Sequence, residues 1–360
     1  MAWTPEQLTA INEEGKNIIV SAGAGSGKTA VLTERVIRKL KENTHINELL
    51  ILTFTNAAAA EMKERIRSAI NKTPGLEAEA NLIDGAYITT FDAFSLAIVK
   101  KYHTKLNITN NIKVTDEVLI NIETKKILDE IFDLNYLSYK QDFKKLIMDF
   151  CLKDDEELKK YILNTYKKIS LKYDKESFLK NYISTYYTPE NIRKFVDEYI
   201  SLILSYKDSI KDLLTSFSLY FDGTYTSKVE NYLELFFNAT TYDELKLSLL
   251  GRFPSVPKDT PDEGKELKET LTGLLNEIKD LLIYENEEEI IKEIENTKEN
   301  ATVIFELLSK LDKRLTAYKA EHEMFNFTDI AFLAIKVVEE NEDIRKELTN
   351  SFKDDSSIFF

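Results

Sequence analysis

Between residues 111 and 250 the sequence holds one proline, Pro189, and one glycine, Gly223. Those two residue types are the strongest local breakers of regular structure. The stretch is rich in Leu, Ile, Tyr and Phe, which recur at helical spacing among Lys and Glu, so it predicts an all-helical domain. A loop is expected over 251–264, where Gly251, Pro254, Pro257, Pro261 and Gly264 fall close together. Helices should resume at 265 and include the acidic run "YENEEEIIKEIENTKEN". No internal repeat is visible.

Residues 1–110 have a different character. Asn17-Ile-Ile-Val-Ser21 predicts a short apolar strand, and Val31, Leu32, Val36, Ile37 and Leu40 follow at helical spacing. Leu49–Phe54 predicts a second strand and Tyr87–Phe91 a third. Strand–helix alternation of this kind argues for a parallel sheet covered by helices. Pro74, Gly75 and Gly85 make 71–86 an expected surface loop. The segment "NFTDIAFLAIKVV", at 326–338, reads as a return to this first domain.

Composition narrows the setting. At 360 residues and 43% hydrophobic, the chain has material for about two domains. No apolar run reaches the length of a membrane-spanning helix, and the first residues lack the basic and apolar regions of a secretory signal. Cys151 is the single cysteine, which excludes an intrachain disulfide. A cytoplasmic protein with no membrane association is expected. The net charge of −14 is uneven: residues 1–110 carry 13 basic against 12 acidic side chains, and the acidity lies beyond them. The local field at a binding face, rather than the total, decides whether nucleic acid can bind.

The stretch "SAGAGSGKTA", residues 21–30, has the pattern of a phosphate-binding loop between a strand and a helix. Glycines let bare N–H groups fold around an anion, a lysine reaches the terminal phosphates, and a hydroxyl binds Mg²⁺. Gly25, Gly27, Lys28 and Thr29 fill those positions. Ala22 stands where the general pattern has glycine, with Gly23 beside it. Gln7, in Trp3-Thr-Pro-Glu-Gln7, carries a donor and an acceptor suited to the N6/N7 edge of adenine. Two further segments join a strand end to a helix start: Thr53-Phe-Thr-Asn56 and Thr89-Thr-Phe-Asp-Ala-Phe94. Hydroxyls, an amide and aromatics at helix starts can hold a DNA phosphate and stack a base. Core packing is the competing role for Phe54, and for one of Phe91 and Phe94.

Taken together, these motifs resemble the UvrD/Rep/PcrA-type superfamily 1 DNA helicases, and look most like the AddA/RecB branch of helicase–nucleases. "WTPEQLTAI" is similar to the Q motif, "SAGAGSGKTAVLTERV" to motif I, "LLILTFTNAAAAEMKERI" to motif Ia and "ITTFDAFSLAIV" to motif Ib. Motif Ib commonly reads Thr-Ile-His-Ser-Phe; here Asp92 and Ala93 replace the histidine and serine. "VTDEVL" and "FNFTDIAFLAI" resemble the segments that open and close a helical insertion.

The resemblance implies an α/β fold. A RecA-like P-loop parallel sheet (domain 1A, residues 1–112 and 322–360) would carry a large all-helical insertion (domain 1B, residues 113–321). It further implies ATP-driven 3′-to-5′ movement on single-stranded DNA in repair or recombination, and it adds double-stranded DNA and a nuclease subunit to the partners. Gln7 would take adenine; Ala22, Gly23, Ala24, Gly25, Ser26, Gly27 and Lys28 the phosphates of ATP; and Thr29 the Mg²⁺. Phe54, Thr55, Asn56, Thr90 and Phe94 would line the DNA path.

Turnover needs a Walker B Asp-Glu pair at the end of an apolar strand, and an arginine from a second domain. The pairs Asp116-Glu117, Asp129-Glu130 and Asp197-Glu198 lie at helix starts or within helical periodicity, and Asp354-Asp355 precedes its apolar residues. The first three pairs read as solvated helix faces, and the order of the last rules it out of that geometry. The expectation is the N-terminal part of a helicase, able to bind nucleotide and inactive by itself. The alternative is a complete short P-loop protein that binds without hydrolysing, with a small-molecule kinase as a more distant third.

Overall fold

The computed structural model describes residues 3–15, 17–23 and 25–352, and the backbone of 357–359. Ala24 and Asp354-Asp355 lie outside the described residues. The chain is mostly helical and divides into two compact units, 1–126 with 314–360, and 127–313. Both boundaries fall inside helices, Glu117–Leu137 and Lys298–Glu321.

The first unit contains a small parallel sheet of β1 (Leu50–Thr53), β2 (Tyr87–Thr90) and β3 (Ser357–Phe359), in the order β2-β1-β3. All four residues of β1 are buried, the continuous apolar pattern expected of a parallel strand covered on both faces. Its register with β2 runs from Leu50↔Tyr87 to Thr53↔Thr90. The expected strand at Asn17–Ser21 is paired with none of these: it carries no regular secondary structure, and Ile19 is 97% exposed. Without a neighbour to complete a hydrogen-bond ladder, its β-branched residues do not make it a strand.

Helix Lys28–Lys41 buries Leu32, Val36, Ile37 and Leu40, and helix Asn56–Asn71 buries Ala59, Met62, Ile66 and Ile70. Both sets recur at three- and four-residue spacing, and all but Ala59 meet Ile46, Leu49, Ile51 and Ile88 in one core. Burial of each such aliphatic side chain contributes about 1.5–3 kcal/mol. The stretch 71–86 is less of a surface loop than its glycines suggest. Leu76 and Ile83 enter the same core. Glu79, 6% exposed, accepts from Ile46 N and pairs with His45 Nδ1, each at 2.8 Å.

A second core joins helix Phe91–Lys101 to helix Phe327–Glu340 through Ile98, Val99, Ile112, Phe325, Ile330 and Val337. At its edge Thr115 N donates to Phe325 O at 2.8 Å. Asn326 and Asp329 form a capping box there, and Asp329 also takes Lys319 Nζ at 2.7 Å.

The second unit has no strand among its described residues. Its main core gathers around helix Pro189–Thr215, with Val196, Ile203, Phe217, Phe236, Tyr242, Leu271 and Ile278. Gly264 lies inside helix Asp262–Leu281 rather than in the preceding loop. A Cβ there would come within 3.0 Å of Thr260 Cγ2 and 3.1 Å of Tyr220 Cβ, so this glycine serves close packing. Asp312 is buried and accepts from Tyr166 Oη at 2.9 Å and Lys175 Nζ at 2.6 Å. Removing a buried carboxylate that satisfies two donors leaves both desolvated. Asp312→Ala is therefore expected to destabilise the second unit by about 1–3 kcal/mol, and Tyr166→Phe by about 1 kcal/mol. Urea denaturation followed by circular dichroism measures both; an unshifted midpoint for Asp312→Ala would show that the network contributes nothing.

Candidate nucleotide and nucleic-acid site

The phosphate loop is held from the N-terminal side. Thr4 caps helix Pro5–Asn12 in a capping box with Gln7: Gln7 N donates to Thr4 Oγ1 at 3.3 Å, and Thr4 N to Gln7 Oε1 at 2.9 Å. The other end of the same amide, Gln7 Nε2, donates to Ser26 O at 3.0 Å. One side chain thus ties the first helix to the loop nineteen residues on. An amide has two N–H groups and two carbonyl lone pairs, so Gln7 keeps capacity for a further ligand. The carbonyl end of the first helix is pinned by two guanidiniums from helix Lys28–Lys41. Arg35 Nη1 reaches Ala10 O at 2.9 Å, and Arg38 reaches Ile11 O at 3.2 Å and Asn12 Oδ1 at 3.1 Å. Motif matching does not single out Arg35 or Arg38. Their signal is a pair of arginines three apart on one helical face, set to cap a neighbouring helix's carbonyls.

Gly25 and Gly27 have φ of +77° and +83°, the left-handed region that glycine enters without steric cost. Gly27 precedes helix Lys28–Lys41, whose start has no side-chain cap. The first N–H groups of that fourteen-residue helix are therefore available to an anion. A Cβ at Gly23 or Gly25 would meet nothing, so the space over the loop is open; at Gly27 it would press on Gln7 Nε2 at 3.3 Å. Lys28 Nζ folds back onto Ala22 O at 2.7 Å, and among the described residues makes no ion pair. An ammonium has three N–H donors, so Lys28 keeps capacity for an anion. Thr29 is half-buried; its carbonyl accepts from Thr33 Oγ1 at 2.8 Å.

The second group of predicted residues lies where β1 and β2 end. Parallel strands deliver their carboxyl ends to one edge, the usual ligand side of such sheets. Thr55 caps helix Asn56–Asn71 by accepting from Ala58 N at 3.1 Å, and Asn56 is exposed. Thr90 is buried and caps helix Phe91–Lys101 by accepting from Ala93 N at 3.2 Å. Phe54 is 83% exposed. Phe94 is half-buried against the second core and meets Tyr87 and Phe352 edge-on at 5.4 and 6.1 Å. Phe91, 40% exposed, lies 5.9 Å from Phe54, centroid to centroid.

The acid pairs serve local ends. Asp116 Oδ1 accepts from Val118 N at 2.8 Å, Asp129 pairs with Lys159 at 2.9 Å, and Asp197 with Arg193 at 3.1 Å. Among the described residues no group of three or more His, Cys, Asp or Glu side chains is placed to hold a metal ion. None of the described helices is long and apolar enough to cross a membrane.

The chain is 28% identical to an ATP-dependent helicase/nuclease subunit of Clostridium botulinum (strain Alaska E43 / Type E3), over 98% of this chain and 31% of that protein. It is 28% identical to the protein of the same name from Lactobacillus johnsonii, over 93% and 31%. With that of Lachnoclostridium phytofermentans the identity is 27%, over 95% and 28%. The chain thus spans under a third of the length of these relatives. The model of the UvrD/REP helicase N-terminal domain matches residues 3–354, and the chain belongs to that family.

Proposed function

We propose that this chain forms the nucleotide-binding and part of the DNA-binding half of an ATP-dependent DNA helicase, of the kind its relatives' names describe. The observation that carries this reading is the left-handed Gly27 set before an uncapped helix start, with a lysine at the first helical position that is bonded to a neutral carbonyl. On this reading the first unit is a RecA-like domain 1A and the helical stretch a domain 1B. Movement would run 3′ to 5′ on single-stranded DNA, and a nuclease subunit would be a partner in repair or recombination.

The residues present fit ATP and Mg²⁺. Backbone N–H groups of Gly25, Gly27, Lys28 and Thr29 would meet the phosphates, because no atom lies where a Cβ of Gly25 would sit, both glycines take left-handed φ, and the helix start is uncapped. Lys28 would leave Ala22 O for the terminal phosphates, exchanging a neutral acceptor for a charged one. Gln7 would read the base while still bonded to Ser26, so that loop and base recognition are mechanically linked. Thr29 Oγ1 would hold the metal, which supplies charge neutralisation when bound.

Turnover asks for more. A carboxylate must complete the metal's shell, another must orient water, and an arginine from a second domain is worth about 10³–10⁵ in rate. Asp116, Asp129 and Asp197 are occupied in a helix cap or ion pairs. The 360-residue polypeptide by itself should therefore bind without turning over.

Calorimetry with Mg·ADP is expected to give a dissociation constant of ~10 µM to 1 mM, the weakness of a one-walled cleft. Lys28→Ala should weaken it at least about tenfold, the scale of one lost charge-assisted contact; an unchanged affinity would refute the loop assignment. Phosphate release by the same polypeptide should stay at the Lys28→Ala background with and without single-stranded DNA. Robust, DNA-stimulated, Lys28-dependent release would show that one of the acid pairs is a working metal ligand.

A further inference from the structure

We infer that Arg35 is a positioning residue for base recognition: it holds the short helix that carries Gln7, and so sets which base the amide accepts. This rests on the nucleotide reading above. Helix Pro5–Asn12 is eight residues long and buries one side chain, Ile11. Two turns of helix are marginal in water, and a single buried isoleucine is a weak anchor for them. Their placement therefore depends on polar ties. Arg35 Nη1 donates to Ala10 O at 2.9 Å and to Ile11 O at 3.2 Å, so one nitrogen bridges two carbonyls of the last turn. Such carbonyls have no partner within their own helix. Arg38 also reaches Ile11 O, but its guanidinium is shared with Glu14 and Glu42. Arg35 is half-buried, and both of these bonds go to the helix.

What this tie protects is the setting of one amide. Gln7 Oε1 accepts from Thr4 N, and Gln7 Nε2 donates to Ser26 O. Both partners are backbone groups, so the oxygen and nitrogen cannot exchange places without losing both bonds. One lone pair on Oε1 and one N–H on Nε2 remain. They match the N6 donor and N7 acceptor of adenine, whereas guanine would set its O6 acceptor against Oε1. That match tolerates little movement. Gln7 precedes Ile11 by four residues, about 6 Å of helix, so a tilt of about 5° about the pinned end shifts it by about 0.5 Å, the width of the hydrogen-bond range. The phosphate loop does not share this dependence. Helix Lys28–Lys41 is held by Leu32, Val36, Ile37 and Leu40 in the core, with or without the Arg35 guanidinium. Loss of Arg35 should therefore blur the base contact and spare the phosphate contacts.

The test is a double-mutant cycle on the full 360-residue chain, read by calorimetry with Mg·ADP, Mg·GDP and Mg·pyrophosphate. Wild type is expected to prefer ADP to GDP by about 5- to 150-fold, the range for one bidentate amide–base contact. Gln7→Ala should remove that preference. Arg35→Met keeps the aliphatic stem and removes the donors. It should cut the ADP-to-GDP ratio at least about threefold, the scale of one weakened hydrogen bond, and leave pyrophosphate affinity as in wild type. In the Gln7→Ala background the same change should have no further effect on ADP, because no amide is left to position. The inference is overturned if Gln7→Ala lowers the ratio and Arg35→Met does not, or if Arg35→Met weakens ADP equally in both backgrounds. It is equally overturned if Arg35→Met weakens or abolishes pyrophosphate binding along with ADP, which would make Arg35 a support of the loop or of the fold. If wild type binds none of the three, the phosphate-loop reading itself fails. If it binds ADP and GDP alike and Gln7→Ala changes neither, the base reading of Gln7 fails. The inference falls with either.

Discussion

The DNA side of the proposed site depends on the parallel pairing of Leu50–Thr53 with Tyr87–Thr90. Parallel strands end on the same edge, and each of these hands the chain to a threonine-capped helix there. The pairing is stable because all four residues of β1 are buried, and Ile51 lies in the core that also receives Leu49, Val36, Ile37, Met62 and Ile66. The same core fixes the axis of helix Lys28–Lys41, and so the direction of its uncapped start. Phosphate loop and rim are therefore two outputs of one packing arrangement. A mutation inside it, such as a truncation at Ile66, would disturb both.

Local chemistry was the legible part. Gly25 and Gly27 had to be glycine because the loop turns through positive φ, and that requirement shows directly in the letters. A hydroxyl before a helical run is a strong cap signal, and Thr55 and Thr90 both accept from the third N–H of their helices. The low Gly and Pro content after residue 111 announced helices, and the described residues of that stretch contain no named strand.

What was not legible depended on partners distant in sequence. Phe91 and Phe94 are both aromatics three residues apart near a helix start, and no local rule says which faces solvent. Thr90 decides it: the strand ends there, Phe91 becomes the first helical residue, and the helix phase turns Phe94 towards Tyr87 and Phe352. Asn17–Ser21 has strand composition, yet a strand also needs a neighbour. Gly264 resembled a loop glycine beside three prolines; only the approach of Tyr220 and Thr260 explains its place in a helix. Glu79, Arg35 and Arg38 carry no local signal of their role, and each is bonded to backbone remote in sequence. The boundaries of the two units were hidden for a similar reason, since helical periodicity continues straight through them.

The central claim is that backbone N–H groups of the Gly-rich loop and of the following helix start hold a nucleotide's phosphates. Amide hydrogen exchange, with and without saturating Mg·ADP, tests it most directly. The account predicts slowed exchange in peptides covering 22–31, with a smaller effect around Gln7 through its bond to Ser26. Mg·adenosine at the same concentration should produce no protection at the loop, because it brings no phosphate. Protection that appears elsewhere while residues 22–31 exchange as before, or loop protection by adenosine alone, would contradict the account.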